Sequence, residues 1–240
     1  MILGAHQLHY LPWLRYFHKI AGCDIFVILD NIQFNKNGWQ NRNQIKTPQG
    51  AHILTVPVLH QMGQSLSEVA IDNKNPWRRK HWGSLSNHYS KAPFFKEHES
   101  FFEQVYETEW FKLNDLNYKI LDYLLKTLGI KTKIIRSSDL NIKGEASERL
   151  VEICKQLGAA SYFTGSYAAQ TYLENDVFQR AGIELKFQTF ECPKYPQLYS
   201  GTDFIPELSI VDLLFNCGPK SLEILMASPM PFPHDFDKKV

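Results

Sequence analysis

The N-terminal part of the chain alternates short apolar runs with a helical spacing of apolar positions. Residues 2–5 and 25–29 are apolar runs. Residues 11–21 between them have the pattern of a helix, with Pro12 in its first turn and Gly22 after its end. A strand that is apolar on both faces is typical of a parallel sheet covered by helices. The pattern therefore predicts a βαβ unit at the start of the chain.

The middle of the chain changes character twice. Residues 31–51 are mostly polar and predict a loop, and residues 52–58 predict a strand that Pro57 ends or confines to a sheet edge. Three helical patterns that are rich in aromatic residues then follow, at residues 76–90, 93–106 and 110–128. They predict a helical subdomain at about residues 74–129.

The α/β alternation then resumes. Further strands are predicted at residues 132–135, 161–164 and 184–190, and further helices at residues 145–157, around 178–181 and at 209–216. We expect an α/β fold in a single domain over residues 1–240. Its sheet should be mostly parallel, doubly wound and Rossmann-like, with a helical insert.

Composition narrows the class of protein. The chain has 240 residues, of which 44% are apolar and 13% aromatic, so a large core and some aromatic pocket walls are expected. The 26 basic and 25 acidic residues leave a net charge of +1, which argues against a dedicated nucleic-acid binder. The N-terminus lacks a signal peptide's charged region, and no apolar run has the length of a membrane span. We therefore expect a cytoplasmic protein that does not insert into a membrane.

The four cysteines are spread along the chain at Cys23, Cys154, Cys192 and Cys217. Zinc sites usually need closely paired ligands, and small secreted proteins use denser cysteine patterns. The spacing predicts four reduced thiols and no structural metal.

Polar side chains cluster where the first predicted strand meets the first helix. His6, Gln7, His9 and Tyr10 lie at this junction. In open parallel sheets ligands bind at this carboxyl edge, and a helix N-terminus there attracts anions. His6 suits an acid or a base because imidazole titrates near neutrality, and Gln7 suits a phosphate or a sugar hydroxyl. The alternative is a hydrogen-bonded core histidine beside a glutamine that caps backbone.

Two further candidates follow the second predicted strand. Asp30 lies at the end of that strand, where its carboxylate could orient His6, bind a metal ion or hold ribose hydroxyls. A cap on the following loop is the alternative for Asp30. Arg42, between Asn41 and Asn43, offers a planar fork of donors that fits phosphate or carboxylate. The alternative for this segment is an ordinary solvated loop.

The first helix of the insert carries the segment Trp77-Arg78-Arg79-Lys80-His81-Trp82. Lys80 and His81 are candidates for an anion site. Arg78 and Arg79 are expected to be solvated charges on the face opposite two buried tryptophans.

Several common motifs are absent. The sequence contains no glycine-rich phosphate loop, no dinucleotide-binding fingerprint and no nucleophile elbow. The pair His6 and His9 is similar to the paired histidines of nucleotidylyl transferases but lacks the glycine between them. No cofactor is therefore identified. Ser209 and Asp212 have the spacing of a capping box, so Asp212 is expected to be structural.

Taken in order, these segments resemble the WbqC-like family over residues 1–218. The matching blocks are His6-Gln7-Leu8-His9-Tyr10-Leu11-Pro12-Trp13, Phe26-Val27-Ile28-Leu29-Asp30 with Gln33-Phe34, Asn41-Arg42-Asn43-Gln44-Ile45, Leu54-Thr55-Val56-Pro57-Val58, Lys80-His81-Trp82, Tyr89-Ser90-Lys91-Ala92-Pro93-Phe94-Phe95, Leu208-Ser209-Ile210-Val211-Asp212-Leu213-Leu214 and Asn216-Cys217-Gly218. Leu8 departs from the family, which usually has proline there, so a rigid turn is not implied.

The resemblance implies a role in assembling bacterial O-antigen or capsule polysaccharide. The family's recurring polar positions imply one site that contains His6, Gln7, Asp30, Arg42, Asn43, Lys80 and His81. With the candidates above, the expected catalytic residues are His6, Asp30 and His81. The expected substrate-binding residues are Gln7, His9, Tyr10, Gln33, Asn41, Arg42, Asn43 and Lys80.

We expect an enzyme that acts on a nucleotide-activated amino sugar or a similar phosphorylated precursor, by acyl or aminoacyl transfer. His6 would be the base, Asp30 would orient it, and Arg42 and Lys80 would hold phosphate. One alternative is nucleotidyl transfer, which would need magnesium near Asp30. The other is a non-catalytic binding or scaffold protein of the same pathway, with a large exposed apolar patch.

Overall fold

The strands form one parallel sheet and two small antiparallel pairs. The computed structural model describes residues 1–165 and 173–232. Within these ranges the strands are β1 (Ile2–His6), β2 (Ile25–Ile28), β3 (Arg42–Thr47), β4 (Gly50–Thr55), β5 (Val58–Leu59), β6 (Ala70–Ile71), β7 (Lys133–Arg136), β8 (Ser161–Gly165) and β9 (Glu184–Gln188). Five of them form an all-parallel sheet in the order β7-β2-β1-β8-β9. The α/β, Rossmann-like sheet that the sequence predicts is confirmed.

Helices cover both faces of this sheet. The described α-helices are α1 (Leu14–Ala21), α2 (Trp77–Tyr89), α3 (Phe95–Glu107), α4 (Leu113–Leu128), α5 (Ala146–Gln156), α6 (Asn175–Arg180), α7 (Ile210–Cys217) and α8 (Ser221–Met226). One apolar core joins α1, α2, α3, α4 and α7 to one face of the sheet, and a smaller core joins α5 and α6 to the other. Leu3 and Ala5 of β1 point into the smaller core, as the two-residue period of a strand requires. No helix in the described ranges has both the length and the apolar character to span a bilayer.

The strand order reverses between β1 and β8. β2 and β7 lie on one side of β1, and β8 and β9 lie on the other side. Pairing of β1 with β2 continues to the end of β1, at His6 opposite Ile28. Pairing of β1 with β8 ends earlier, at Gly4 opposite Phe163. β1 and β8 therefore separate toward their carboxyl ends, and we call this place the crevice. It lies at the switch point of the strand order, where open α/β sheets bind ligands.

The first helix begins three residues later than the pattern predicts. Leu11 has a left-handed φ of 44°, and Trp13 forms an isolated bridge with Ser209. The carbonyl of Pro12 accepts a hydrogen bond of 2.8 Å from the Ile210 amide. Residues 11–13 are therefore held against the start of α7, and the helix begins at Leu14.

The prediction of a loop over residues 31–51 is wrong in its second half. Residues 42–55 form an antiparallel hairpin, β3–β4, in which Thr47 lies opposite Gly50. Two polar side chains of β3 are buried and hydrogen bonded rather than solvated. Asn43 Nδ2 donates to the Leu11 carbonyl at 2.6 Å, and Lys46 Nζ donates to the Asp203 carbonyl at 3.0 Å. The strand could not be recognised from its polar sequence, because these buried polar groups have hydrogen-bond partners in distant segments.

The expected capping box at α7 is only half present. Ser209 caps the helix, and its side chain accepts a hydrogen bond of 3.4 Å from the Val211 amide. Asp212 does not return to the backbone of Ser209, whose amide donates to the Gln44 carbonyl. The Asp212 carboxylate is fully buried and accepts a hydrogen bond of 2.7 Å from the Tyr89 hydroxyl. Burial raises the pKa of this carboxyl.

The close packing of Cys23 and Phe26 against Gly4 of β1 gives a stability prediction. Gly4→Ala should lower the free energy of unfolding by about 1–3 kcal/mol, the usual cost of overpacking. The reason is that a Cβ at this position would lie 2.6 Å from Cys23 Sγ and 3.1 Å from the Phe26 ring. The matched control is Gly83→Ala in α2, where a Cβ meets nothing within 4 Å. The control should raise stability by about 0.5–1 kcal/mol through helix propensity. Urea denaturation measures both, and a neutral Gly4→Ala would contradict the tight contact.

Candidate functional site

His6 is the last residue of β1 and lies at the mouth of the crevice. Its Nδ1 is 3.2 Å from the Gln7 carbonyl oxygen. A carbonyl oxygen can only accept, so this hydrogen bond places the imidazole proton on Nδ1. The Nε2 lone pair is then available to accept a hydrogen bond or a proton from a ligand.

The His6 imidazole is neutral at physiological pH. Burial and, to a smaller extent, the positive charge of Lys19 lower its pKa to about 3, although the Gln7 hydrogen bond opposes the shift. Any group that removes the effect of Lys19, such as a bound anion, would raise the pKa of His6. The basicity of His6 is thus sensitive to what occupies the crevice.

Lys19 fills the gap that β8 leaves beside β1. The Met1 carbonyl accepts a hydrogen bond from the Ser161 amide of β8. Backbone carbonyls two residues apart in a strand point to the same side, so the Ala5 carbonyl also points toward β8. The Ala5 carbonyl accepts a hydrogen bond of 2.8 Å from Lys19 Nζ rather than from a strand amide. The Lys19 side chain is buried, and burial lowers its pKa to about 8. Nζ makes no second hydrogen bond within the described residues, so donors remain for an anion.

A row of rings runs from the crevice to Arg42. The ring centroids of His6 and His9 are 4.6 Å apart, and those of His9 and Trp13 are 5.0 Å apart. Trp13 meets Trp39 edge to face at 5.1 Å, and the Arg42 guanidinium lies over the Trp39 ring at 5.5 Å. Edge-to-face and cation–π contacts of this kind hold ring orientations. The fold thereby brings Arg42 into one continuous surface with His6 and His9.

Two of these groups have unsatisfied buried nitrogen atoms. His9 is almost fully buried, and its Nδ1 has no hydrogen-bond partner. Arg42 donates from Nη2 to the Asn37 carbonyl, while its buried Nε has no partner. Buried polar groups in native proteins are nearly always paired, so unpaired ones at a crevice indicate a place where a ligand or water binds.

Gln7 joins the same surface through a loop that follows β2. Its Oε1 accepts a hydrogen bond of 2.6 Å from Gln40 Nε2, and its carbonyl accepts from the Tyr16 hydroxyl at 3.0 Å. The Tyr10 amide donates to the Trp39 carbonyl, which fixes residues 39–40 against the segment after β1.

Asp30 lies at the carboxyl edge but is engaged with β7. Its carboxylate accepts hydrogen bonds from the Ser137 hydroxyl at 3.0 Å, the Ser138 amide at 2.9 Å and the Ser138 hydroxyl at 2.6 Å. Its backbone carbonyl accepts from Asn114 Nδ2 at 3.0 Å. In this arrangement the carboxylate holds the turn that follows β7, next to the outer strand of the sheet.

Tyr10 and His81 form a buried network with α3. The Tyr10 hydroxyl is 2.8 Å from His81 Nδ1 and 2.5 Å from the Tyr106 hydroxyl. Burial lowers the pKa of His81 to about 4, so its imidazole is neutral and connects α2 to the segment after β1.

The remaining predicted residues divide into buried and exposed groups. Asn41 Nδ2 donates to the Val56 carbonyl at 2.8 Å, and Asn43 is bonded to Leu11 as described above, so both amides hold backbone. Gln33 and Lys80 have exposed side chains, and neither side chain hydrogen bonds to a described residue. No group of three potential metal-binding side chains is found within residues 1–165 and 173–232.

Sequence reasoning missed Lys19, Trp39 and Gln40. Lys19 lies in a helix whose sequence has an ordinary amphipathic pattern. Only its position on the buried face of that helix could have indicated a role. Trp39 was an isolated aromatic residue in a polar stretch, which is itself a signal of burial or contact.

Fold and site together define a Rossmann-like α/β protein with a polar crevice at the switch point of its sheet. The chain belongs to the WbqC-like protein family, whose model matches residues 7–224. It is 36% identical over 223 residues to "Uncharacterized protein Rv1507c" of Mycobacterium tuberculosis (strain ATCC 25618 / H37Rv), an alignment that covers 91% of this chain and 95% of that relative. No solved structure matches the chain.

The neutral state of His81 gives a prediction about pH. Because the folded pKa of His81 is about 4 and the ordinary value is 6.5, the unfolded chain binds the proton first as the pH falls. The stability that His81 contributes is therefore fully present above about pH 6.5 and is lost progressively toward about pH 4. At about pH 5 the loss through this residue should be about 2 kcal/mol.

Urea denaturation at about pH 7 and about pH 5 measures this loss for the wild type and for His81→Gln. The variant should be less stable at neutral pH but should show a smaller loss on acidification. The same loss in both proteins would contradict a buried neutral imidazole.

Proposed function

We propose that this protein is a cytoplasmic transferase of bacterial cell-surface polysaccharide assembly. Its substrate is a nucleotide-activated amino sugar or a similar phosphorylated precursor, which binds in the crevice between β1 and β8. The reaction is transfer of an acyl or aminoacyl group to the sugar amine.

The observation that carries this proposal is the composition of the crevice. It combines a neutral imidazole with a free Nε2, a buried lysine with unused donors, and an arginine fork on the same surface. Cationic groups beside a neutral base suit a substrate that has both a phosphate and an amine. Aromatic rings at Trp13 and Trp39 provide faces for a sugar or a base.

In the proposed reaction, phosphate binding prepares His6. A phosphate of the substrate lies near Lys19, compensates its charge and so raises the pKa of His6 toward neutrality. Arg42, at the far end of the row of rings, holds a second anionic group of the substrate. The sugar amine attacks the carbonyl carbon of an activated acyl ester while His6 Nε2 takes the amine proton. The carbon–nitrogen bond forms, the bond to the leaving group breaks, and the leaving group departs with the electron pair and receives the proton from His6.

Other predicted residues have supporting roles in this proposal. Asp30 shapes the β7 side of the edge through Ser137 and Ser138, and Gln7 and Gln40 hold the two loops together. Tyr10 and His81 support the segment that carries His9.

Arg42→Lys tests the contact of Arg42 with an anionic group of the substrate. Lysine keeps the charge but loses the planar fork and its stacking on Trp39, so affinity for the nucleotide sugar should fall by about 1.5–3 kcal/mol. A thermal-shift screen of nucleotide amino sugars, sugar phosphates and acyl donors first identifies a ligand that raises the melting temperature. Calorimetry then compares the wild type with the variant.

The matched control is Arg180→Lys, at an exposed arginine on α6. It should bind as the wild type does. Equal affinities of the wild type and Arg42→Lys would remove Arg42 from the site. If no phosphorylated or nucleotide-linked ligand binds, the proposed substrate class is wrong.

A further inference from the structure

A second concave site lies away from the crevice, between the first turn of α2 and the end of α3. This α2–α3 cleft has a volume of about 350 Å³, and its lining includes Asn75, Arg78, Arg79, Trp82, Tyr106 and Glu107. A volume of this size suits a small ligand. None of these residues belongs to the crevice surface.

The cleft concentrates positive charge. Arg78 and Arg79 lie in the first turn of α2, which contains no acidic residue. Cations at this end of a helix are unfavourable because the helix dipole is positive there. A bound anion would offset both the charge of the arginines and the positive end of the dipole. Glu107 is exposed and contributes one negative charge against the two arginines.

The two arginines differ in how they are held. Arg78 Nη1 donates to the Glu107 carbonyl at 2.8 Å, which fixes its guanidinium between the two helices. Arg79 is exposed and makes no hydrogen bond or ion pair with a described residue. One fixed and one free guanidinium can close on a phosphate from two sides.

Aromatic rings form the other wall. Trp82 is half-buried and lies one turn beyond the arginines. Its ring is stacked with Phe95 and Tyr106, at centroid distances of 6.1 and 6.4 Å. A fixed indole in a cleft can contact a sugar ring or a nucleobase through its face. Asn75 Nδ2 donates to Asp72, which leaves its Oδ1 able to accept from a ligand hydroxyl.

We propose that the α2–α3 cleft binds a small phosphorylated sugar or nucleotide, with the phosphate between Arg78 and Arg79 and the ring against Trp82. This site is separate from the crevice and goes beyond the proposed transferase function. The sequence predicts solvated charges at both positions. Arg79 is exposed, whereas Arg78 is bonded to the Glu107 carbonyl, and the proposal adds a ligand to both.

The cleft is physically joined to the segment after β1. Tyr106 lines the cleft, and its hydroxyl bonds to that of Tyr10, which lies next to His9 in sequence. A ligand that displaces Tyr106 would therefore act on the segment that carries His9.

The test uses uridine 5′-monophosphate and glucose 1-phosphate as probes, with uridine and glucose as unphosphorylated counterparts. Calorimetry on the full chain should show binding of at least one phosphorylated probe and none of its counterpart. Arg79→Gln should weaken that binding about tenfold, because a hydrogen bond to a charged group is lost. Arg79 makes no hydrogen bond or ion pair with a described residue, so the variant should fold as the wild type does.

Three further variants separate this site from the crevice. Arg180→Gln, the matched control, should leave binding unchanged. Arg42→Lys should also leave binding at the cleft unchanged. If the probe binds at the crevice as well, this variant should weaken only that second binding event. Trp82→Phe should abolish the change in tryptophan emission that accompanies binding.

Failure of the two proposals is distinguishable. If Arg79→Gln binds the probes as tightly as the wild type, or if neither phosphorylated probe binds, the cleft assignment is overturned while the crevice is untouched. If binding responds to Arg42→Lys but not to Arg79→Gln, the probe occupies the crevice alone, and the cleft assignment is again wrong.

Discussion

The central strand β1 is bonded along its full length on one side only, and the site depends on this asymmetry. β2 pairs with it as far as His6, whereas β8 separates after Gly4. A backbone carbonyl that is left without a strand partner must be satisfied in another way. Lys19 provides that hydrogen bond from α1, and in doing so it brings a positive charge into the interior beside His6.

The other features of the crevice follow from this arrangement. A lysine in place of a strand amide fills the gap beside β1 and puts a charged group at the crevice. Burial is the main cause of the neutral form of the neighbouring imidazole, and the positive charge of Lys19 adds to it. The rings from His9 to Trp39 then extend the polar mouth into a surface that reaches Arg42.

Apolar patterns predicted the parallel sheet because β2 is apolar on both faces and strands alternate with helices along the chain. The hairpin of residues 42–55 could not be predicted in the same way, since Asn43 and Lys46 are polar yet buried. Their burial depends on partners such as Asp203 that are far away in sequence. The candidate site was predictable where polar residues directly follow strands, as with His6 and Gln7. It was not predictable where a buried helix residue such as Lys19 enters from the side.

The contacts that hold residues 11–13 also bear on how the molecule folds. Pro12 and Trp13 are bonded to Ile210 and Ser209, and β3 is bonded through Gln44 to the same helix start. These pairings join residues 12, 13 and 44 to residues 209 and 210. Contacts of such long range slow folding because a large loop must close first. During synthesis, the N-terminal residues of the crevice emerge well before α7 exists to hold them. The crevice is therefore completed late, after nearly the whole chain has left the ribosome.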